Sequence, residues 1–196
     1  MSLKLTPDLR LVGQHALLEP LTNAHHDDLC AATMDGELWK LKCTTVPSPT
    51  TMAETIASAL RDDTAARLQF PFVVRRLSDN KVVGCTRYYW IRPEHRNLSI
   101  GFTWYAKSVQ RTAINTECKF LLFKHAFEEL GCISVALHVD DTNTVSQKAV
   151  ERLGAKHEGV LRNDRIMPDG RIRHTYCYSI TNSEWPAVKE RLKSYL

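Results

Sequence analysis

Residues 100–159 read IGFTWYAKSVQRTAINTECKFLLFKHAFEELGCISVALHVDDTNTVSQKAVERLGAKHEG, and the order of patterns within them decides the fold. The stretch opens inside a strand spanning Leu98 to Tyr105, followed by the polar run Gln110-Arg111-Thr112-Ala113-Ile114-Asn115. From Thr116 to Leu130, Phe120, Phe123, Phe127 and Leu130 recur at spacings of three and four, the core stripe of a helix, and Gly131 stands where a left-handed C-cap residue is expected. Cys132 to Val139 then alternates Ile133, Val135, Leu137 and Val139 with small or polar residues, as a half-buried strand does. Asp140-Asp141-Thr142-Asn143 turns the chain into a short helix that carries Ala149, Val150 and Leu153 and ends at Gly154. Strand, loop, helix, strand and helix in that order imply a parallel crossover.

Upstream the pattern is antiparallel. His15 to Leu21 reads as a first strand, and Thr22 or Asn23 can cap a helix through about Thr33. After the proline-punctuated loop Val46-Pro47-Ser48-Pro49, Thr51 and Glu54 stand at capping-box spacing before a helix expected to reach about Arg67. Phe70 to Leu77 and Val82 to Trp90 are rich in β-branched and aromatic residues and flank the turn cluster Ser78-Asp79-Asn80-Lys81, which predicts a hairpin. Downstream, two strands flank Pro168-Asp169-Gly170, and Ser183 can cap a last helix through Leu192 with Pro186 in its first turn. The fold class expected is α+β, a mixed and mostly antiparallel central sheet flanked by helices, built as a single domain over residues 1–196.

Composition narrows the function. A formal charge of +4 spread over the chain, with no basic run interleaved with aromatics, permits a phosphate-bearing ligand and offers nucleic acid little. The first ten residues lack the apolar core of a signal peptide, and no stretch has the roughly 20 apolar residues that span a bilayer, so a cytoplasmic protein is expected. The six cysteines (Cys30, Cys43, Cys85, Cys118, Cys132 and Cys177) lie far apart without a C-x-x-C pair and read as reduced thiols, mostly small core residues. The eight histidines make no metal pattern, and no metal is expected.

The run 110–115 precedes a helix, where free backbone amides and the helix dipole favour phosphate, although a plain strand-to-helix connection would look the same. With N-T-V-S at 143–146 and E-R-L-G-A at 151–155, it resembles the acetyl-CoA core of the GNAT superfamily, most closely its RimJ/RimL-like branch of N-acetyltransferases. The resemblance covers nearly the whole chain. It implies a GNAT fold with a splayed parallel strand pair, acetyl-CoA as donor, and an amine acceptor on a protein N-terminus or a small molecule.

Residue by residue, the resemblance implies a pyrophosphate loop at Gln110, Arg111, Thr112, Ala113, Ile114 and Asn115. The family pattern Q/R-x-x-G-x-G/A has glycine where Ala113 stands and glycine or alanine where Asn115 stands. If position 113 is left-handed, alanine costs roughly 1–2 kcal/mol there; if it is helical, that cost vanishes. A bulge near Thr103, Trp104 and Tyr105 would hold the pantetheine arm and polarise the thioester, with the Trp104 side chain equally readable as a buried aromatic. Asn143 would hold pantetheine amides and Ser146 would protonate the departing thiolate; on their own the two read as an N-cap and a polar first-turn residue.

The general base is missing from its usual place. Many relatives carry L-E-I-G on the strand before the loop, and here Leu98-Ser99-Ile100-Gly101 puts Ser99 where the glutamate stands. Glu94, His95, Asp140 or a water held by Ser99 are the substitutes, His95 having the best-matched intrinsic pKa. An α-amine of pKa about 8 is roughly a tenth neutral at pH 7, whereas a lysine amine near 10.4 is neutral in fewer than about one molecule in a thousand, so the missing base tilts the acceptor towards an amine of lower pKa. Trp39, Arg87, Tyr88 and Trp90 are the candidates for the acceptor side. A non-catalytic acyl-CoA-binding or sensing module is the alternative. Strand edges near the C-terminus are compatible with a homodimer.

Overall fold

The computed structural model describes residues 5–41, 44–61 and 69–196. An eight-stranded sheet runs in the order β1-β2-β3-β4-β5-β6-β8-β7: β1 (Leu11–Val12), β2 (Ala16–Pro20), β3 (Phe70–Arg76), β4 (Lys81–Arg92), β5 (Asn97–Tyr105), β6 (Ser134–Asp140), β7 (Lys156–Ile166) and β8 (Ile172–Thr181). Helices α1 (His26–Met34) and α2 (Met52–Leu60) pack against β4 and β3, while α3 (Ala113–Lys124), α4 (Thr144–Leu153) and α5 (Trp185–Lys193) gather around β1, β2 and β6. Every neighbouring pair is antiparallel except β5 and β6.

That parallel pair is short. It joins Asn97 to Ser134, Leu98 to Val135 and Ser99 to Ala136, after which both strands continue without pairing each other. The sheet therefore splits beyond Ser99. Both strands lead at their C-terminal ends into helices, so the N-termini of α3 and α4 stand at the open end of the split, the usual ligand crevice where parallel strands end.

Several local expectations need correcting. Thr51 makes no side-chain cap for α2; its hydroxyl accepts from Ser48 N at 3.0 Å and is committed to the preceding turn. Helix α2 ends at Leu60 because Arg61 is extended, and the remainder of the helix expected to Arg67 lies outside the described residues, as does Cys43. Helix α3 begins three residues before Thr116, at Ala113, with Thr112 as N-cap. Its C-terminal end widens into a π turn, His125–Glu129, which closes on Gly131 at φ +66°. For α5 the N-cap is Glu184 and not Ser183: the Glu184 carboxylate accepts from Thr181 N at 2.9 Å, while the Ser183 hydroxyl is taken up by Thr181.

The aromatic stripe of α3 is core, as its spacing implies: the rings of Phe120, Phe123 and Phe127 lie 5.4–6.3 Å from that of Trp185 on α5. Gly154 ends α4 at φ +101°. Among the described residues, no helix is long and apolar enough to cross a membrane.

Candidate active site

The split is flanked by a bulge. Across β4 and β5, Cys85 pairs with Trp104 and Arg87 with Gly101, so Phe102 and Thr103 together oppose Thr86 alone. Phe102 takes φ +52°, a left-handed conformation that costs a non-glycine residue of order 1–3 kcal/mol. Such an extra residue re-aims backbone groups out of the ladder. Gly84, beside the bulge, is required by close approach: a Cβ there would lie 2.2 Å from the carbonyl oxygen of Trp104.

The bulge is held from the α3 face. Thr103 Oγ1 bonds Thr86 Oγ1 at 2.7 Å and accepts from Lys119 Nζ at 2.9 Å. Lys119 is buried, and burial lowers its pKa to about 8. The sign follows from proton counts: between about pH 8 and 10.5 the unfolded chain holds a proton that the folded chain has released, so this group's contribution to stability rises with pH. Lys119→Met should therefore stabilise the protein by up to about 3 kcal/mol at pH 7. Denaturant titrations should show the gap between variant and wild type closing as pH climbs from 8 to 10.5.

The loop before α3 resolves the question at position 113. Ala113 is the first residue of the helix and pays no left-handed penalty, while Arg111 carries the positive φ, +63°. Thr112 Oγ1 donates to Val109 O at 2.7 Å and accepts from Ile114 N at 3.4 Å, and Gln110 Nε2 donates to Tyr105 O at 2.9 Å. Gln110, Arg111 and Thr112 are exposed and Asn115 is half-buried; the Ile114 side chain is core, leaving only its backbone at the helix entrance. Trp104 and Tyr105 are buried, the Tyr105 hydroxyl beside the Cys118 thiol.

At the α4 entrance Asn143 is the N-cap, its Oδ1 accepting from Ser146 N at 3.0 Å; Ser146 is half-buried in the first turn. The capping role is thus real, and it fixes Ser146 at the open end of the split.

Side-chain alternation on β4 sorts the acceptor candidates. Tyr88 is fully buried and its hydroxyl donates to Leu122 O on α3 at 2.6 Å, so it is a core residue and cannot line an acceptor cleft. Arg87 and Tyr89 project to the opposite face. Arg87 stacks on the Phe102 ring at 4.3 Å, and Tyr89 meets Phe102 edge-on. Trp90, partly exposed at φ +47°, packs on Tyr89 and His138. Trp39 is half-buried in a short turn after α1 and has no ring contact with this group.

The candidate bases separate in the same way. His95 is exposed on a turn ahead of Asn97, at the closed end of the strand pair, with its Nε2 3.7 Å from the Glu94 carboxylate. Asp140 is buried; burial alone would raise its pKa, but hydrogen bonds from Arg171 and Thr142 outweigh this and hold it at about 2. It anchors the turn into α4. Ser99 is buried at the vertex of the split, paired to Tyr89 on one side and Ala136 on the other. Two residues beyond Ala136, on the same face, His138 Nδ1 lies 2.8 Å from the Tyr89 hydroxyl. Burial lowers the His138 pKa, keeping the imidazole neutral at pH 7, and pushes the Tyr89 phenol up to about 12. The sequence reading missed His138; the alternation of Val135, Leu137 and Val139 was the available signal, since it puts the intervening His138 on the other face.

Comparison with known proteins agrees with this geometry. Residues 15–156 match the family model described as Acetyltransferase (GNAT) domain. A stretch of 113 residues, 58% of this chain and 61% of the relative, is 30% identical to the Bacillus subtilis protein named "Putative ribosomal N-acetyltransferase YdaF". A GCN5-related N-acetyltransferase from Brucella melitensis superposes with a TM-score of 0.83 at 27% identity, over 95% of this chain and 84% of that one. Mycobacterium smegmatis RimJ, solved with CoA-disulfide, shares the fold with a TM-score of 0.72 at 21% identity, over 91% and 88% of the two chains.

Proposed function

Because the chain belongs to the GNAT acetyltransferase family, we propose that it moves an acetyl group from acetyl-CoA to an α-amine, on a protein N-terminus or a small molecule, by direct attack in a ternary complex. The observation that carries this reading is the bulge at Phe102–Thr103 beside a split closed at one end and flanked at the other by two helix N-termini.

The pyrophosphate lies against the first-turn amides of α3, where Arg111 adds a cation and the helix dipole favours anions. The pantetheine arm enters between β5 and β6, and bulge amides polarise the thioester carbonyl. The amine nitrogen bonds to the carbonyl carbon, the C–S bond breaks, and the amine's proton passes to His138, which stands in for the carboxylate that Ser99 replaces. Ser146 protonates the departing thiolate. An α-amine suits this weak base because about a tenth of it is already neutral at pH 7. The free thiols of Cys30, Cys85, Cys118, Cys132 and Cys177 support a cytoplasmic setting, and the exposed apolar residues Val160, Leu161 and Ile166 on edge strand β7 support a homodimer.

Ser99 also favours a second reading, a non-catalytic acyl-CoA-binding module. Thiol release from acetyl-CoA over a panel of peptide N-termini, amino acids and polyamines separates the two. Ser146→Ala should lower kcat roughly tenfold to a hundredfold, the low end of proton-transfer effects because a thiolate leaves readily. CoA binding with no thiol release on any amine would favour the module.

A further inference from the structure

Among the described residues, every arginine that is not exposed stands against a carboxylate, with one exception. Arg75 meets Glu19 at 2.7 Å, Arg76 meets Asp79, Arg171 meets Asp140 at 2.7 Å, and Arg173 approaches Asp140 at 3.8 Å. Arg87 has none. One of its terminal nitrogens donates to the amide oxygen of Gln69 at 2.6 Å, and its Nε is buried without a hydrogen-bond partner. Burial lowers the Arg87 pKa, the guanidinium being held away from water without a carboxylate beside it.

The surroundings show what is missing. Arg87 lies on the wall of a narrow recess between α2 and the sheet, lined by Met52, Thr55, Ile56, Pro71 and Trp104. Its guanidinium face is occupied by the Phe102 ring, and Gln69, which holds one terminal nitrogen, is itself tied to the carbonyls of Ser58 and Arg61 at the end of α2. Stacking fixes the plane and the Gln69 bond fixes rotation within it, so the guanidinium is held in one orientation at the recess wall. A guanidinium edge held this way matches a planar carboxylate, which accepts two parallel N–H bonds. Because the ring under Arg87 belongs to the bulge residue, an anion held there belongs to the molecule whose amine reaches the bulge.

We infer that the acceptor is an amine that also carries a carboxylate, and that Arg87 selects it by that carboxylate. The inference rests on the acetyl-transfer reading and narrows its acceptor class. Two sources of the carboxylate are chemically equivalent at the site: the main-chain carboxylate of a free amino acid, and an acidic side chain near a peptide N-terminus.

The test uses matched acceptors. One arm compares amino acids with their amides; the other compares peptides beginning Ser-Asp with those beginning Ser-Asn. Wild type should favour the acid over its neutral partner at least tenfold in kcat/KM in one arm, which also identifies the source. In Arg87→Met that ratio should fall to near one, and Arg87→Lys, which keeps the charge without the fork, should fall between. Equal use of acid and amide by wild type in both arms, or a ratio that survives Arg87→Met, would overturn the assignment. If no acceptor releases thiol, the acetyl-transfer reading fails, and calorimetric binding of the same acid and amide pairs to CoA-loaded protein still decides the anion site by the same ratio.

Discussion

Deleting Phe102 should lower kcat for acetyl transfer by roughly two to three orders of magnitude while leaving the sheet folded. Removing the extra residue sets Thr103 directly opposite Thr86, between the existing pairs of Gly101 with Arg87 and Trp104 with Cys85, so β5 regains an unbroken antiparallel ladder. The strained left-handed residue disappears, and with it the re-aimed amides. Regular pairing returns those N–H groups to β4, where they cannot reach a thioester oxygen. Removing one preorganised oxyanion donor costs about 10²–10³ in rate, and flattening the bulge removes its whole donor set. CoA binding should persist, since the α3 entrance is untouched. A deletion variant with wild-type kcat would mean that the bulge polarises nothing.

Glu117→Gln should be the most destabilising single change of shape-conserving type. The Glu117 carboxylate, buried on α3, accepts from the backbone N–H groups of Gln14 at 2.6 Å, His15 at 2.9 Å and Ala16 at 2.8 Å, stapling the β1–β2 turn to that helix. Gly13 makes room for it, because a Cβ there would sit 2.3 Å from the carboxyl carbon. Glutamine keeps the shape but turns an amide donor towards N–H donors, stranding at least one buried group. The expected cost is on the order of 3–5 kcal/mol, a drop in Tm of roughly 10 °C. Urea denaturation at neutral pH measures it, and a change below about 1 kcal/mol would show that the turn is held by something else.

The fold was legible because its decisive features are periodic. The aromatic stripe of α3, the alternation of β6, and Gly131 and Gly154 at the ends of the two crossover helices announce a crossover in an antiparallel sheet. Local chemistry was legible at Asn143, whose capping follows from its residue type and place, but not at Thr112, which caps a helix expected to begin only at Thr116. What periodicity could not show is the two-against-one register at Phe102, since an aromatic at φ +52° has no composition signal. Nor could it pair Tyr89 with His138 across two intervening interfaces. Tyr88 was misread for a simpler reason: aromatics on a central hairpin serve both faces, and alternation sends Tyr88 to α3 and Arg87 to the recess. Glu117 was hidden by its position inside an apolar helix face, where an unpaired carboxylate signals a distant backbone partner.

The central claim, acetyl transfer to an α-amine at the split beside the bulge, is tested most directly by counting products. Acetyl-CoA is incubated with peptides whose only amine is the α-amine, and with the same peptides blocked at the N-terminus but carrying a lysine. One acetylated peptide per thiol released is expected from the free α-amine, with much slower turnover of the lysine peptides and loss of both products on deletion of Phe102. Thiol release without an acetylated amine, or transfer that is indifferent to the bulge, would contradict it.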